Sequence, residues 1–228
     1  MSEKDFKTII AEDGEENERV YFTCGGARTS FTEKKSVFIC SCAHAATEDE
    51  ATVFVRGVKA EFPDARHNVY AYCVGGGGVP VMRFSDDGEP KGTAGMPVLD
   101  AITKSGITDV AVVVTRYFGG ILLGASGLTR AYSNSATEGL AAAGKIRMVT
   151  ARSITVRVPY DKYGKITKVL EKYDLVKEEP VFAEDVSVTA AVPLSQLRQL
   201  VTDLNDATAA NCAFTAGEKG FYNIEKNL

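Results

Sequence analysis

The sequence predicts an α+β protein of two domains, the second of them ferredoxin-like. Three observations carry this. Strand-like and helix-like patterns alternate along the whole chain, with no long run of either type. Near residue 150 the pattern restarts, and a β-α-β-β-α-β order over roughly the last 75 residues matches a ferredoxin-like unit. The chain has 228 residues, 45% hydrophobic and 25% charged. That is enough apolar mass to offset chain entropy, and a length that favours two domains over one.

Residues 1–18, MSEKDFKTIIAEDGEENE, are acidic and polar and read as a mobile arm. The first domain is expected over 19–150. VYFTC is a short strand, and KKSVFICSCAHA a longer one in which apolar and small residues alternate. In TEDEATVFVRGVKAEFP, Thr47 is placed to cap a helix, Asp49 and Glu50 fall in its first turn, and Pro63 lies just past its end. HNVYAYCVGGGGVPVMRFS reads as two strands joined by a flexible glycine tip. A turn-rich stretch, SDDGEPKGTAGMP, leads into a short helix, VLDAITKSG, that Gly106 ends. DVAVVVTRYFGG begins with the β-branched run of a strand buried on both faces. GASGLTRAYSNSATEGLAAAG is a helix whose small residues allow close approach to a sheet, and Gly144 stops it. In the second domain, 151–228, RSITVRVPY is a strand and DKYGKITKVLEKY a helix. LVKEEPVF and DVSVTAAVP are strands, PLSQLRQLVTDLND is a helix, and the remainder supplies a last strand.

The formal net charge of -4 excludes a uniformly basic coat for nucleic acid and leaves room for a local basic groove. No apolar run nears the roughly 20 residues needed to cross a bilayer, so no membrane role is expected. The polar start resembles neither a signal nor a transit peptide, and the expected location is the cytoplasm. Five cysteines, Cys24, Cys40, Cys42, Cys73 and Cys212, lack the spacing of a disulfide framework. Cys40 and Cys42 would share one face of a strand. A zinc site would need two more ligands, and His44 and His67 are the only histidines, so no metal is expected. No cofactor is implied, and no cysteine sits in an electropositive turn that would activate it.

Two loops concentrate polar chemistry. In the first, Ser85 to Gly95, three carboxylates (Asp86, Asp87, Glu89) sit among glycines between a strand and a helix. They could bind a hard cation or act as general base, and Gly92-Thr93-Ala94-Gly95 could offer amides to an anion. The competing reading is an acidic turn whose aspartates cap local amides, and for these carboxylates it is the favoured one. In the second loop a buried strand runs into Arg116, Tyr117, Phe118, Gly119 and Gly120, and then into a helix start at Gly124, Ser126 and Gly127 followed by Arg130. Two guanidiniums, free backbone amides, a helix dipole and stacking rings together describe an anion or polynucleotide site. The alternative is a tight turn in which Arg116 pairs with a nearby acid and the rings join the core. His67 opens a strand, where a histidine more often satisfies a backbone group than ionises. Lys34 and Lys35 read as solubilising edge charges that could extend a basic face.

These blocks carry a resemblance. Lys34-Lys35-Ser36, Ala65-Arg66-His67-Asn68-Val69-Tyr70-Ala71-Tyr72, Asp86-Asp87-Gly88-Glu89-Pro90, Gly92-Thr93-Ala94-Gly95 and Val114-Thr115-Arg116-Tyr117-Phe118-Gly119-Gly120 together resemble the YigZ/IMPACT family. The likeness covers about 19–145, and the C-terminal part is similar to the small second domain of bacterial members. One departure is that Ser126 replaces the first glycine of a pair before Leu128-Thr129-Arg130-Ala131-Tyr132. The resemblance implies a first domain like domain 2 of ribosomal protein S5, an α/β sandwich. It implies a second domain like the last domain of elongation factor G. RNA or translation-related binding is the inference it suggests, and fold analogy alone is weak evidence for function.

The function expected is therefore a noncatalytic binding protein for RNA or the ribosome, or for a protein partner in translation control. Arg116 and Arg130 would hold phosphate, Gly119, Gly120 and Gly124 would let backbone approach it, and Tyr117 would stack. His67, Lys34 and Lys35 would border the groove while Asp86, Asp87 and Glu89 orient the arginines. A rival is an enzyme acting on a small phosphorylated or carboxylated molecule, with Asp87, Glu89 or His67 as general base. It requires a deep pocket that gathers those residues with Arg116. A third reading, a protein-interaction regulator, requires an exposed apolar patch after residue 150.

Overall fold

The computed structural model describes residues 6–13 and 18–224. Residues 21–146 form one compact unit, and the segments before and after them form the other. In chain order the elements are α1 (Phe6–Asp13), β1 (Val20–Thr23), β2 (Ala27–Glu33), β3 (Ser36–His44), α2 (Glu48–Glu61), β4 (His67–Val74), β5 (Val81–Ser85), α3 (Gly95–Ser105), β6 (Val110–Tyr117) and α4 (Gly124–Ala143). There follow β7 (Ile146–Val158), α5 (Tyr160–Leu170), β8 (Val176–Lys177), β9 (Val181–Phe182), β10 (Val186–Pro193), α6 (Leu194–Thr208) and β11 (Ala213–Asn223).

The first unit is built on an antiparallel sheet of order β2-β3-β6-β4-β5. Its central strand β6 is buried from Val110 to Arg116, as its β-branched run predicts for a strand covered on both faces. Alternate residues of the inner strands face opposite layers. Phe38, Cys40, Val112 and Val114 pack with Val98, Ile102, Leu128 and Tyr132 of α3 and α4. Ala111, Tyr72 and Val113 face Ala51, Val55 and Val58 of α2. Cys40 and Cys42 do share a face, with their sulfurs 3.6 Å apart. A Cβ on Gly139 would come within 2.4 Å of the Cys40 sulfur, so the missing side chain is what lets α4 lie this close. Hydrogen bonding to Cys42 and then burial push the Cys40 thiol up, and burial pushes Cys24 up to about 12. These are structural thiols.

The helix boundaries follow their expected signals. Thr47 caps α2 by accepting from the Glu50 amide at 3.2 Å, and Gly106 ends α3 in the left-handed conformation. Strand β2 has no counterpart in the sequence reading. ARTSFTE is a half-exposed edge strand with only Phe31 as a large apolar residue, so its alternation carries little signal.

In the second unit β11, β7, β10 and β8 lie side by side, all antiparallel, with β9 also on β10. This is the ferredoxin-like order, in which the outer strands are the last and the second. Ile154, Val156 and Val158 alternate inward on β7, as do Val186, Val188, Ala190 and Val192 on β10, and α5 and α6 close over them with Ile166, Leu197, Leu200 and Leu204. On the β8–β9 edge Val176, Val181 and Phe182 remain exposed.

Of the arm expected at 1–18, residues 6–13 and 18 are described. Residues 1–5 and 14–17 lie outside the described residues. Residues 6–13 form α1, which packs on α6 and β11. Phe6 stacks on Phe214 at 5.1 Å, Ile10 is buried, and the Asp13 carboxylate takes two hydrogen bonds from Arg152 at 2.7 and 3.1 Å. Phe6 and Ile10 stand four residues apart and so share a helix face, which the acidic composition obscures.

Candidate functional site

Strands β4 and β6 run antiparallel with His67 opposite Arg116, which brings the start of one to the end of the other. The loop after β5 and the loop before α4 close over this point. Between them lies a cleft of about 370 Å³. Its polar floor is His67, Glu89 and Arg116, its rim carries Arg66, and Phe118, Leu122, Leu123 and Leu128 form the apolar wall beside Gly124 and Ala125.

The floor is a buried ionic network. The Glu89 and Arg116 side chains are 4% and 6% exposed, and Arg116 Nη1 donates to Glu89 Oε1 at 2.6 Å. An unpaired charge at this depth would be strongly destabilising, so each group needs the other. The Tyr132 hydroxyl donates to the same oxygen at 2.8 Å, and burial, followed by the charge of Glu89, pushes that hydroxyl well up. The Arg116 guanidinium lies over the rings of Phe38 and Phe118, 5.4 and 5.6 Å from their centroids. Its Nη2 reaches Ser36 Oγ at 3.4 Å, and its Nε has no partner among the described residues.

His67 is held from the other side. Its Nδ1 lies 2.9 Å from the Asp87 carbonyl oxygen, which can only accept, so Nδ1 carries the proton. In the neutral ring Nε2 is then an acceptor, 3.9 Å from Glu89 Oε1. Asp87 itself stands at φ +46°, with its carboxylate taking Lys59 Nζ at 2.6 Å and the Asn68 amide at 2.6 Å. Asp86 accepts from the amides of Gly92, Ala94 and Gly95 at 2.8 to 3.1 Å and so caps α3. Thr93 closes the same turn by donating to the Pro90 carbonyl at 2.7 Å. The aspartates thus do the capping work that was the favoured reading, while Glu89 faces the cleft.

The structure brings together His67, Glu89, Arg116 and Gly124 and separates the rest. Arg116 and Arg130 do not converge: Arg130 is exposed on the outer side of α4, and Arg116 is neutralised by Glu89. Tyr117 follows Arg116 on a strand and therefore points to the opposite face, where its hydroxyl donates to Asp64 at 2.8 Å and is pushed up by that bond. Ser126 and Gly127 lie in the first turn of α4 without lining the cleft. Lys34 and Lys35 form a two-residue hairpin tip, both at positive φ (46° and 66°), and Gly119 packs beneath Lys35. Sequence reasoning passed over Arg66 and Tyr132. Arg66 precedes the first strand residue and projects at the cleft rim, exposed and with no ion pair among the described residues. Its position beside His67 was the available signal. The described residues hold no cluster of three metal-ligating side chains, and no described helix is long and apolar enough to cross a membrane.

Comparison with known proteins places this geometry. An Impact N-terminal domain matches residues 34–140, which include the floor residues, both cleft loops and most of α4, and a domain of unknown function, DUF1949, matches 156–211. The chain is 35% identical to the IMPACT family member YvyE of Bacillus subtilis, over 81% of this chain and 85% of that protein. It is 34% identical to the IMPACT family member YigZ of Escherichia coli, over 82% of this chain and 92% of that protein. A crystal structure of a hypothetical protein superposes with a TM-score of 0.57 at 32% identity, covering 87% of this chain and 98% of that one. The shared domain pair and these relatives show that the chain belongs to the IMPACT family.

Proposed function

We propose that this protein is a noncatalytic binding protein of translation control whose cleft takes the phosphate of a nucleic-acid or nucleotide ligand. The observation that carries this is the N-terminus of α4. It is a 20-residue helix with no side-chain cap and no acidic residue in its first turn, and its Gly124 and Ala125 open on the cleft. The positive end of the dipole and the first amides of such a helix favour an anion. Exposed Arg66 adds a second positive charge at the rim. A buried Arg116 with an unpartnered Nε beside them supports a site built to meet a ligand. The family resemblance, which implies domains like those of ribosomal protein S5 and elongation factor G, points the ligand toward translation. Arg116 serves as floor, and Arg66 takes the phosphate-holding role first expected of Arg116 and Arg130.

The test is single-stranded RNA binding as a function of salt. Arg66→Ala should flatten the log–log slope by about 0.7, the loss of one phosphate contact on a single strand. Arg130→Ala, away from the cleft, should leave the slope unchanged. Absence of binding at low salt overturns the proposal. One observation favours an enzyme instead: His67 lines the cleft and is oriented by a backbone carbonyl, so that in the neutral ring Nε2 can accept a proton. That reading predicts turnover of a small phosphorylated or carboxylated substrate, lost in His67→Gln with its binding retained.

A further inference from the structure

The floor of the cleft recognises more than an anion. Glu89 receives Arg116 and Tyr132 on Oε1, and His67 also faces that oxygen. Oε2 has no hydrogen bond among the described residues. With Nδ1–H committed to Asp87, the neutral His67 ring offers Nε2 as a second acceptor. The floor therefore presents two acceptors, one of them anionic, to whatever enters. Such a pair selects a ligand group rich in N–H donors, while a phosphate belongs at the rim with Arg66 and α4. The wall supplies a second constraint. Phe118 lies against the Arg116 guanidinium, lines the cleft and is 41% exposed, so its ring is available to stack on a flat ligand. A volume near 370 Å³ lies in the range of small-ligand pockets.

A flat ring, adjacent N–H donors and an anionic tail together describe one class of molecule. We infer that the cleft binds a guanine nucleotide, with the base stacked on Phe118 and its donor edge on Glu89 Oε2 and His67 Nε2. Among the common bases only guanine carries two neighbouring donors, N1–H and the exocyclic amino group, on its pairing edge. Adenine and cytosine would turn a ring acceptor toward the carboxylate, and uracil would turn a carbonyl oxygen toward it. A free guanosine phosphate and a 5′-phosphorylated guanosine at an RNA end share this chemistry. The inference rests on the proposed phosphate site for the tail only; the base recognition stands on Glu89, His67 and Phe118.

Titration calorimetry of the full chain with GMP, AMP, guanosine and ribose 5-phosphate separates the two. GMP should bind at least about tenfold more tightly than ribose 5-phosphate, which has no base to stack, and than AMP, which turns a ring acceptor toward the carboxylate. Phe118→Ala should lose about tenfold in GMP affinity while its melting temperature and its ribose 5-phosphate affinity stay those of the parent. Glu89→Gln should abolish the preference for GMP over AMP. Its buried charge partner makes that variant sensitive to misfolding, and the exposed Phe118 keeps the test decisive. Equal binding of GMP and ribose 5-phosphate overturns the base assignment and leaves the phosphate site intact. Equal binding of guanosine and GMP supports the base and overturns the phosphate site. No binding of any of the four overturns both. The dinucleotide pGpU distinguishes the sources: tighter binding than GMP assigns an RNA end, weaker binding a free nucleotide.

Discussion

The two loops that close the cleft are built in opposite ways. The stretch from Ser85 to Gly95 is tied at nearly every residue. Asp86 holds three amides, Asp87 holds Lys59 and Asn68, the Asp87 carbonyl orients His67, and Glu89 is locked to Arg116 and Tyr132. The stretch from Phe118 to Leu123 has one hydrogen bond among the described residues, from the Gly119 amide to Ser36 Oγ at 3.2 Å, and it leaves Ile121 and Leu122 exposed. One wall is thus fixed by polar satisfaction, and the other is free to adapt. Chemistry that needs precise direction sits on the fixed wall, and the apolar contact surface sits on the adaptable one.

The sharpest way to break this contrast is to remove a fixed-wall charge. Arg116→Met leaves the Glu89 carboxylate buried without its partner and should cost about 3–5 kcal/mol in urea unfolding. The double variant Arg116→Met with Glu89→Leu should recover most of that loss, because an apolar pair no longer buries a charge. A single-variant cost below about 1 kcal/mol would show that the pair is not what fixes the wall.

A pair of neighbouring glycines sharpens the same contrast inside the adaptable loop. A Cβ on Gly119 would lie 2.0 Å from the backbone carbonyl carbon and oxygen of Lys35, so this end of the loop is pinned against the β2–β3 hairpin. Gly119→Ala should destabilise by about 3 kcal/mol, since backbone rather than a flexible side chain must shift. Gly120 stands at φ +83° with open space around it. Gly120→Ala should cost about 1 kcal/mol, the penalty of a left-handed residue alone. Equal costs at the two positions would mean that the pinned end extends through the loop.

Much of this was legible in the sequence, for identifiable reasons. Caps and stops at Thr47, Gly106 and Gly144 act over a few residues, so local chemistry sets them. The burial of β6 and the ferredoxin-like order follow from side-chain type and element order. What was not legible depends on direction in space. Arg116 and Tyr117 are adjacent in the chain, yet a strand sends them to opposite faces. The pairing of Arg116 with Glu89 joins residues 27 apart in the chain, and the Tyr132 bond to Glu89 joins residues 43 apart, so no spacing rule reports either. Arg66 escaped notice because a charged residue before a strand is ordinarily a solvated one. The helical packing of Phe6 and Ile10 was masked by the acids around them.

The smallest expected effect is a change of slope with pH. The Tyr132 hydroxyl is held protonated by burial and by the charge of Glu89, so its value in the fold lies well above its ordinary 10.0. A raised value means that the fold binds this proton more tightly than the unfolded chain does. The stabilisation is complete below pH 10 and declines as pH rises from there toward the folded value. In that window the unfolded chain has released a proton that the fold retains, and stability falls by up to about 1.4 kcal/mol per pH unit. Tyr132→Phe removes both the bond and this dependence. At pH 7 it should cost about 1 kcal/mol. Above pH 10 the gap between parent and variant should narrow, because only the parent carries the penalty of keeping the proton. Unfolding curves that stay parallel from pH 7 to pH 11 would place the Tyr132 hydroxyl outside the fixed wall's network, and the wall would then rest on Glu89 and Arg116 alone.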